Sequence, residues 1–228
     1  MNIAYNMDCM DAMLQMPDNA FDLAVVDPPY GIGVDGQKER YDYANPKHSR
    51  KYHEQKNWDA QIPPQEYFDE LVRVSKNQII WGGNYFVEHL REAHKGWIVW
   101  DKGQHGLTMS DCELAYSSFD CPTRVFECNR VALLHDGTIH PTQKPVALYR
   151  WIFSKYAKHG DKILDTHLGS GSSRIAAYDA GLDFVGYEID KMYFDLQEER
   201  FAKHTAQASL FVDDGGEIQE DLFTKEED

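Results

Sequence analysis

Asp27-Pro28-Pro29-Tyr30 is the stretch of this chain whose residue types are best suited to chemistry. It follows Phe21-Asp22-Leu23-Ala24-Val25-Val26, a short apolar run that reads as a buried parallel strand, and it precedes the turn signal Gly31-Ile32-Gly33. A carboxylate therefore sits at the C-terminal lip of a strand, where open α/β sheets bind their ligands. Two prolines hold φ at about −65° and carry no N–H, so their carbonyls can point outward without a ladder bond. Tyr30 adds a flat face beside the acid. Such a set suits a planar ring bearing an amino group. Taken alone, the triplet reads as a strand end closed by a Pro-Pro turn, and the rest of the chain has to decide.

A second candidate is Gly169-Ser170-Gly171, between a strand and a helix. Glycines there let the backbone approach a ligand, and a helix N-terminus offers free N–H groups to a carboxylate or phosphate. Glu188 ends the next strand about twenty residues on, the spacing at which dinucleotide folds place an acid for ribose hydroxyls. The glycines do not complete GxGxxG, which makes a nicotinamide cofactor the poorer match.

The elements that must position these groups read as alternating strands and helices. Ile3-Ala4-Tyr5, a short helix from Asp11 to Gln15 and the strand ending at Asp27 form a βαβ unit, which predicts a parallel sheet with Asp8 and Asp27 on one edge. A helix through Glu66, Tyr67, Leu71 and Val74 follows Pro63-Pro64, then strands at Gln78–Trp81 and Trp97–Trp100. Glu113–Tyr116 and Arg124–Phe126 read as antiparallel strands. An amphipathic helix runs from Val146 to Tyr156, Lys162–Leu164 is a strand, and a helix spans Ser173 to Ala180. Phe184–Tyr187 is a strand, and a last helix from Met192 to about His204 turns Phe194 and Phe201 inward. Residues 31–61 lack periodicity and mix Lys38, Arg40, Lys47, Arg50, Lys51 and Lys56 with Tyr41, Tyr43, Tyr52 and Trp58. Cations for phosphates among aromatics for stacking suit a nucleotide clamp, but five acids interrupt the segment, so a solvated loop is the equal alternative.

Composition limits the classes available. A chain of 228 residues, 42% hydrophobic and 27% charged, suits one α/β domain, expected over residues 1–212. No apolar run approaches the ~20 residues of a membrane span, and the start lacks a secretion signal, so a cytoplasmic location in a bacterial or phage-infected cell is expected. Cys9, Cys112, Cys121 and Cys128 show no CxxC spacing and no pair among the ten His stands at metal-ligand spacing, so reduced thiols and no metal are expected. The net charge is −15, of which the tail 213–228 carries −7, and that tail reads as disordered. Any contact with nucleic acid must then use a local basic patch.

Asp27-Pro28-Pro29-Tyr30, the sequence HPTQKP from His140 to Pro145, and Asp165 to Ser172 with Glu188 together resemble the amino-methyltransferases that use S-adenosylmethionine, in particular the adenine-N6 DNA methyltransferases. Their order, catalytic motif first, then target recognition, then cofactor motifs, resembles the permuted β-class arrangement, and the resemblance covers residues 1–205. It implies a Rossmann-like methyltransferase fold: a mostly parallel sheet of the seven-stranded type with one antiparallel strand and helices on both faces. It also implies roles. Asp27, Pro28, Pro29 and Tyr30 would hold the reacting base. Asp8, with Cys9 beside it, would meet the cofactor's adenine, and Glu188 and Ile189 its ribose. Asp165, His167, Gly169, Ser170, Gly171 and Ser172 would line the methionine end, with Thr142 and Lys144 closing over it.

The family's usual Pro-Phe after the Asp is replaced here by Thr166-His167-Leu168, so His167 is either a partner for the methionine carboxylate or a polar replacement for a packing residue. Tyr30, Lys47, Arg50, Lys51, Arg124 and Arg130 would contact DNA, with a short target-recognition segment at 118–139. The expected reaction is methyl transfer to the N6 amine of a flipped adenine in duplex DNA, with a homodimer and a cognate restriction enzyme as further expected partners. Cytosine-N4 methylation, amino-methylation of RNA, protein or free nucleotide, and a non-catalytic partner subunit are the alternatives.

Overall fold

The computed structural model describes residues 1–36, 56–90, 95–103, 106, 110–129 and 138–212, with side chains as far as 207. Lys47, Arg50, Lys51, Arg130, the tail 213–228, most of the 31–61 loop and part of the 118–139 segment lie outside the described residues. In chain order the elements are β1 (Asn2–Tyr5), α1 (Cys9–Met13), β2 (Leu23–Val26), α2 (Gln65–Val74), β3 (Gln78–Trp81), β4 (Trp97–Asp101), β5 (Cys112–Ser117), β6 (Arg124–Glu127), α3 (Val146–Tyr156), β7 (Lys162–Asp165), α4 (Ser172–Asp179), β8 (Asp183–Tyr187) and α5 (Lys191–Val212).

The strands form one sheet in the order β1-β8-β7-β2-β3-β5-β4-β6. Only β5 runs against its neighbours among these strands. The expected mostly parallel sheet with one antiparallel strand is therefore present, with eight described strands where a seven-stranded type was expected. Arg124–Phe126 is a correction: β6 pairs parallel to β4, Ile98 opposite Arg124, because residues 118–123 pass the end of β4 and set β6 beyond it, not beside β5.

Strand pleating assigns each core residue to a face. Leu23, Val25, Ile79, Trp81 and Ile163 join Leu148, Ile152 and Phe153 of α3 and Ala176 and Ala177 of α4 in one core. Ala24, Val26, Ile80 and Leu164 join Ala12 and Met13 of α1 and Tyr67, Phe68, Leu71 and Val74 of α2 in the other. Helices thus cover both faces, and burying each large apolar side chain of this kind contributes about 1.5 to 3 kcal/mol. Pro64 and Pro145 stand at the N-caps of α2 and α3, where a missing N–H costs nothing. The last helix extends well past His204, and among its described side chains Tyr193 and Gln197 are buried, with Phe194 and Phe201 half-buried. The reason is the i, i+4, i+8 row 193, 197, 201, against which the buried Arg174 lies, bonded to Gln197 and Glu198 and stacked 4.0 Å above the Phe201 ring.

From the adjacent pair β7 and β2 the chain winds outward in both directions, through α2 to β3 and through α4 to β8, with the two helices on opposite faces. That is a topological switch point, and it opens a crevice beyond the carboxyl ends of these strands. Asp165 ends β7, Asp27 follows β2, and Glu188 follows β8, whose Tyr187 pairs with Tyr5 of β1. Because β5 is antiparallel, its first residues reach the same edge: Glu113 pairs with Trp100, one residue before Asp101 and Lys102.

Candidate active site at the carboxyl edge of the sheet

The Asp27 side of the crevice is a buried polar cluster. The Tyr30 hydroxyl donates to Asp27 Oδ1 at 2.6 Å, and Lys144 Nζ donates to Oδ2 at 2.5 Å. The same ammonium lies 3.2 Å from Glu113 Oε2, and Lys102 Nζ lies 2.7 Å from Glu113 Oε1. Burial pushes the Asp27 carboxyl above its usual range, and Lys144 offsets only part of that. Burial would do the same to Glu113, but the Lys144 and Lys102 charges outweigh it and hold that carboxyl at about 2. Burial opposes the charge on Lys144 too, yet Asp27 and Glu113 together raise its ammonium above the usual lysine range.

The loop that carries Tyr30 is fixed from two sides. The buried Asp59 accepts from the backbone N–H groups of Tyr30 and Gly31 at Oδ1 (2.7 and 2.8 Å) and of Val34 at Oδ2 (2.8 Å). The Tyr30 ring stacks on Tyr85 with centroids 5.1 Å apart and lies over Gly82, where a Cβ would overlap the ring carbons. Gly82 has φ +74°, so the position needs glycine both for its backbone and for the room.

On the other side, Glu188 Oε2 accepts from Gly169 N and Oε1 from Asp190 N, both at 2.8 Å. Gly169 (φ +51°) and Gly171 (φ +71°) shape the turn into α4, and a Cβ on Gly169 would lie 3.8 Å from the His140 ring. The HPTQKP segment therefore crosses over the glycine turn, with His140 packed edge-on to Tyr193 and Thr142 bonded to His140 Nδ1. Asp165 accepts from His167 N and from the Ser173 hydroxyl, and burial lifts its carboxyl to about 7. Burial holds His167 at about 4, so the imidazole is neutral at pH 7, bonded to Thr166 and edge-on to Tyr67. Asp8 caps α1 by accepting from Met10 N, next to the buried Cys9, whose thiol burial pushes up to about 12. Lys56 pairs with Asp190 at 2.6 Å.

The structure brings Asp8, Asp27, Tyr30, Asp165, Gly169, Gly171 and Glu188 to one edge. Others sit differently from expectation. Lys144 is bound to the Asp27 and Glu113 carboxylates on the Asp27 side, where an ammonium offsets two buried acids. Ser170 and Ser172 are buried and bonded to each other, with Arg200 of α5 on the Ser172 hydroxyl. Ile189 is 66% exposed at the rim, and Arg124 is exposed on the outermost strand β6. Sequence reading missed Asp59, Gly82, Glu113 and Lys102. A signal existed for Glu113, which shares a strand face with the fully buried Ala115 and Ser117, an inward position for an acid.

Three comparisons bear on this arrangement. Residues 88–199 match the family model described as DNA methylase. That segment contains Lys102, Glu113, HPTQKP, the glycine turn and Glu188. The Type II methyltransferase M.HpaI of Haemophilus parainfluenzae is 23% identical over 237 residues, covering 85% of this chain and 72% of that protein. Among solved structures, M1.HpyAVI in complex with SAM has a TM-score of 0.57 at 18% identity, covering 88% of this chain and 100% of the other. The PvuII cytosine-N4-specific DNA methyltransferase has a TM-score of 0.58 at 10% identity, covering 94% of each chain. The structural likenesses show the shared Rossmann-like fold. The matched segment and the motif set make this chain similar to DNA methyltransferases of the N6/N4 type, which use S-adenosylmethionine.

Proposed function

We propose that the chain methylates the exocyclic N6 amine of an adenine flipped out of duplex DNA. The observation that carries this reading is the Asp27 carboxylate at the switch-point crevice, beside the Tyr30 ring and on the same edge as Glu188 and the glycine turn. The residues present fit S-adenosylmethionine: Gly169 and Gly171 hold positive-φ conformations that a side chain would strain, and Glu188 is fixed by two backbone donors at the end of β8. When bound, it supplies an electrophilic methyl group on a sulfonium. Glu188 would hold the ribose hydroxyls and Asp8 the adenine amine, with Asp165 near the methionine end.

The acceptor half does the remaining work. An exocyclic amine is a weak nucleophile because its lone pair is delocalised into the ring. Asp27 and the Pro28 carbonyl, by accepting its two N–H bonds, pull the nitrogen toward a tetrahedral shape and aim the lone pair, a gain from positioning and electrostatics. Tyr30, its ring stacked on Tyr85 and over Gly82, would border the flipped base, and Arg124 with Lys47, Arg50, Lys51 and Arg130 would contact phosphates. A homodimer and a cognate restriction enzyme belong to the same proposal.

The Asp that opens the Asp27–Tyr30 motif favours adenine. Cytosine-N4 methylation is the second reading, favoured by the likeness to the cytosine-N4-specific PvuII enzyme. The test is incubation with labelled S-adenosylmethionine and, separately, duplex DNA, RNA and mononucleotides, followed by nucleoside mass spectrometry. N6-methyladenine from duplex DNA supports the proposal. N4-methylcytosine selects the second reading, and label confined to RNA or mononucleotides refutes both.

A further inference from the structure

Both oxygens of the acid assigned to hold the amine are already engaged. Tyr30 occupies Asp27 Oδ1 and Lys144 occupies Oδ2. The Lys144 side chain is 2% exposed, and its ammonium touches a second carboxylate, Glu113, at 3.2 Å. Glu113 in turn is held by Lys102, so two acids and two ammonium groups from four parts of the chain balance each other.

An isolated charge in such a place is costly, and a buried ion pair that loses one partner is worse off than no pair at all. Asp27 without a cation would tend to protonate, since burial already pushes its carboxyl up. An incoming amine, however, needs an oxygen that Lys144 covers. Glu113 resolves the conflict, because a small rotation of the long lysine side chain moves the ammonium from one carboxylate to the other without leaving it unpaired. We infer that Lys144 is a displaceable plug on Asp27, and that Glu113, steadied by Lys102, receives its ammonium when the target amine docks. This rests on the reading of Asp27 as the amine holder. Lys144 and Glu113 are then positioning residues that keep Asp27 ionised and decide when it is available.

The groups that face Asp27 are Lys144, Tyr30, Glu113, Tyr67, Tyr149 and Asp165. Of these, Lys144 lowers its carboxyl and Glu113 raises it, so the two have opposite signs. In the cofactor-free protein, the Asp27 carboxyl followed by carbon-13 NMR should titrate at higher pH in Lys144→Met and at lower pH in Glu113→Gln. With duplex DNA, the low-pH limb of methyl transfer should move the same two ways. Glu113→Gln should lower kcat/KM about tenfold or more, the worth of one hydrogen bond to a charged group, with affinity for S-adenosylmethionine unchanged. Glu113→Asp, which withdraws the carboxylate by one methylene, should give an intermediate loss and serves where the amide variant does not fold. Asp27 titrations that move in the same direction, or transfer by Glu113→Gln equal to wild type, overturn the inference. Wild-type protein that methylates no nucleic acid overturns the reading of Asp27 itself, and the titration, which needs no substrate, tells the two failures apart.

Discussion

Removal of the Asp59 carboxylate should unfasten the catalytic loop while leaving the sheet intact. Its Oδ1 accepts from Tyr30 N and Gly31 N and its Oδ2 from Val34 N, all within 2.8 Å, at a residue only 3% exposed. Asp59→Asn keeps an acceptor toward Tyr30 and Gly31 but turns an amide donor toward the Val34 N–H. One charge-assisted bond is lost, at about 1.5 to 3 kcal/mol. Asp59→Ala loses all three. The bonds share one carboxylate and the freed N–H groups partly regain water, so the expected loss is about 3 to 5 kcal/mol, below a simple threefold sum. The activity effect should be larger than stability alone accounts for, because a reacting group displaced by about 1 Å costs about 100-fold. Urea unfolding followed by circular dichroism gives the first quantity, and methyl transfer at a temperature where both variants are folded gives the second. An alanine variant within about 0.5 kcal/mol of wild type, or one no slower than the asparagine variant, would show that Asp59 does not hold the loop.

Three further outcomes are expected. Gly82→Ala drives a Cβ into the Tyr30 ring on a backbone with φ +74°, so it should destabilise by at least about 1 to 2 kcal/mol and lower methyl transfer, measured by thermal melting and by label incorporation. Glu188→Gln keeps one backbone acceptor and turns an amide toward the other N–H, and calorimetry should show cofactor binding weaker by about tenfold or more with the fold intact. Asp165 titrates near 7 in the folded chain against an ordinary aspartate value of 3.8; a raised carboxyl contributes stability that is complete at low pH and is lost as pH rises through about 7. Asp165→Asn removes that loss, so its stability relative to wild type should climb between pH 4 and 7 in denaturant titrations.

The strands of the crevice were legible because each is a short apolar run that ends in an acid or a glycine. The runs Phe21–Val26 before Asp27 and Lys162–Leu164 before the glycine turn are local signals, and the strands Leu23–Val26 and Lys162–Asp165 match them to within two residues. What could not be read was fixed by long-range geometry. Arg124–Phe126 has a strand's composition, but its parallel pairing with β4 depends on the connection after β5 passing the end of β4. Lys144 was associated with the cofactor through its motif, whereas its position is set by two carboxylates, one 117 residues before it and one on an antiparallel strand. Asp59 lies in an aperiodic stretch, where nothing nearby reveals that its partners are backbone N–H groups 25 to 29 residues earlier.

The net charge of −15, which leaves any nucleic-acid contact to a local basic patch, takes on a further meaning at the crevice. Asp8, Asp27, Asp165 and Glu188 line one edge of the sheet, and the carboxyls of Asp27, Asp165 and Glu188 are all raised, burial being the largest cause in each. Lys144 offsets the charge at Asp27, and the carboxyls left at Asp8, Asp165 and Glu188 tilt the field of the cleft to the acidic side. Such a field repels phosphate and favours N–H donors and cations. On the proposed reading, such a field would favour a base turned in with its amine toward Asp27 and would keep the anionic phosphates outside. Base flipping, as proposed, would reconcile an acidic edge with a DNA substrate and ties the charge of the edge to the geometry of the proposed reaction.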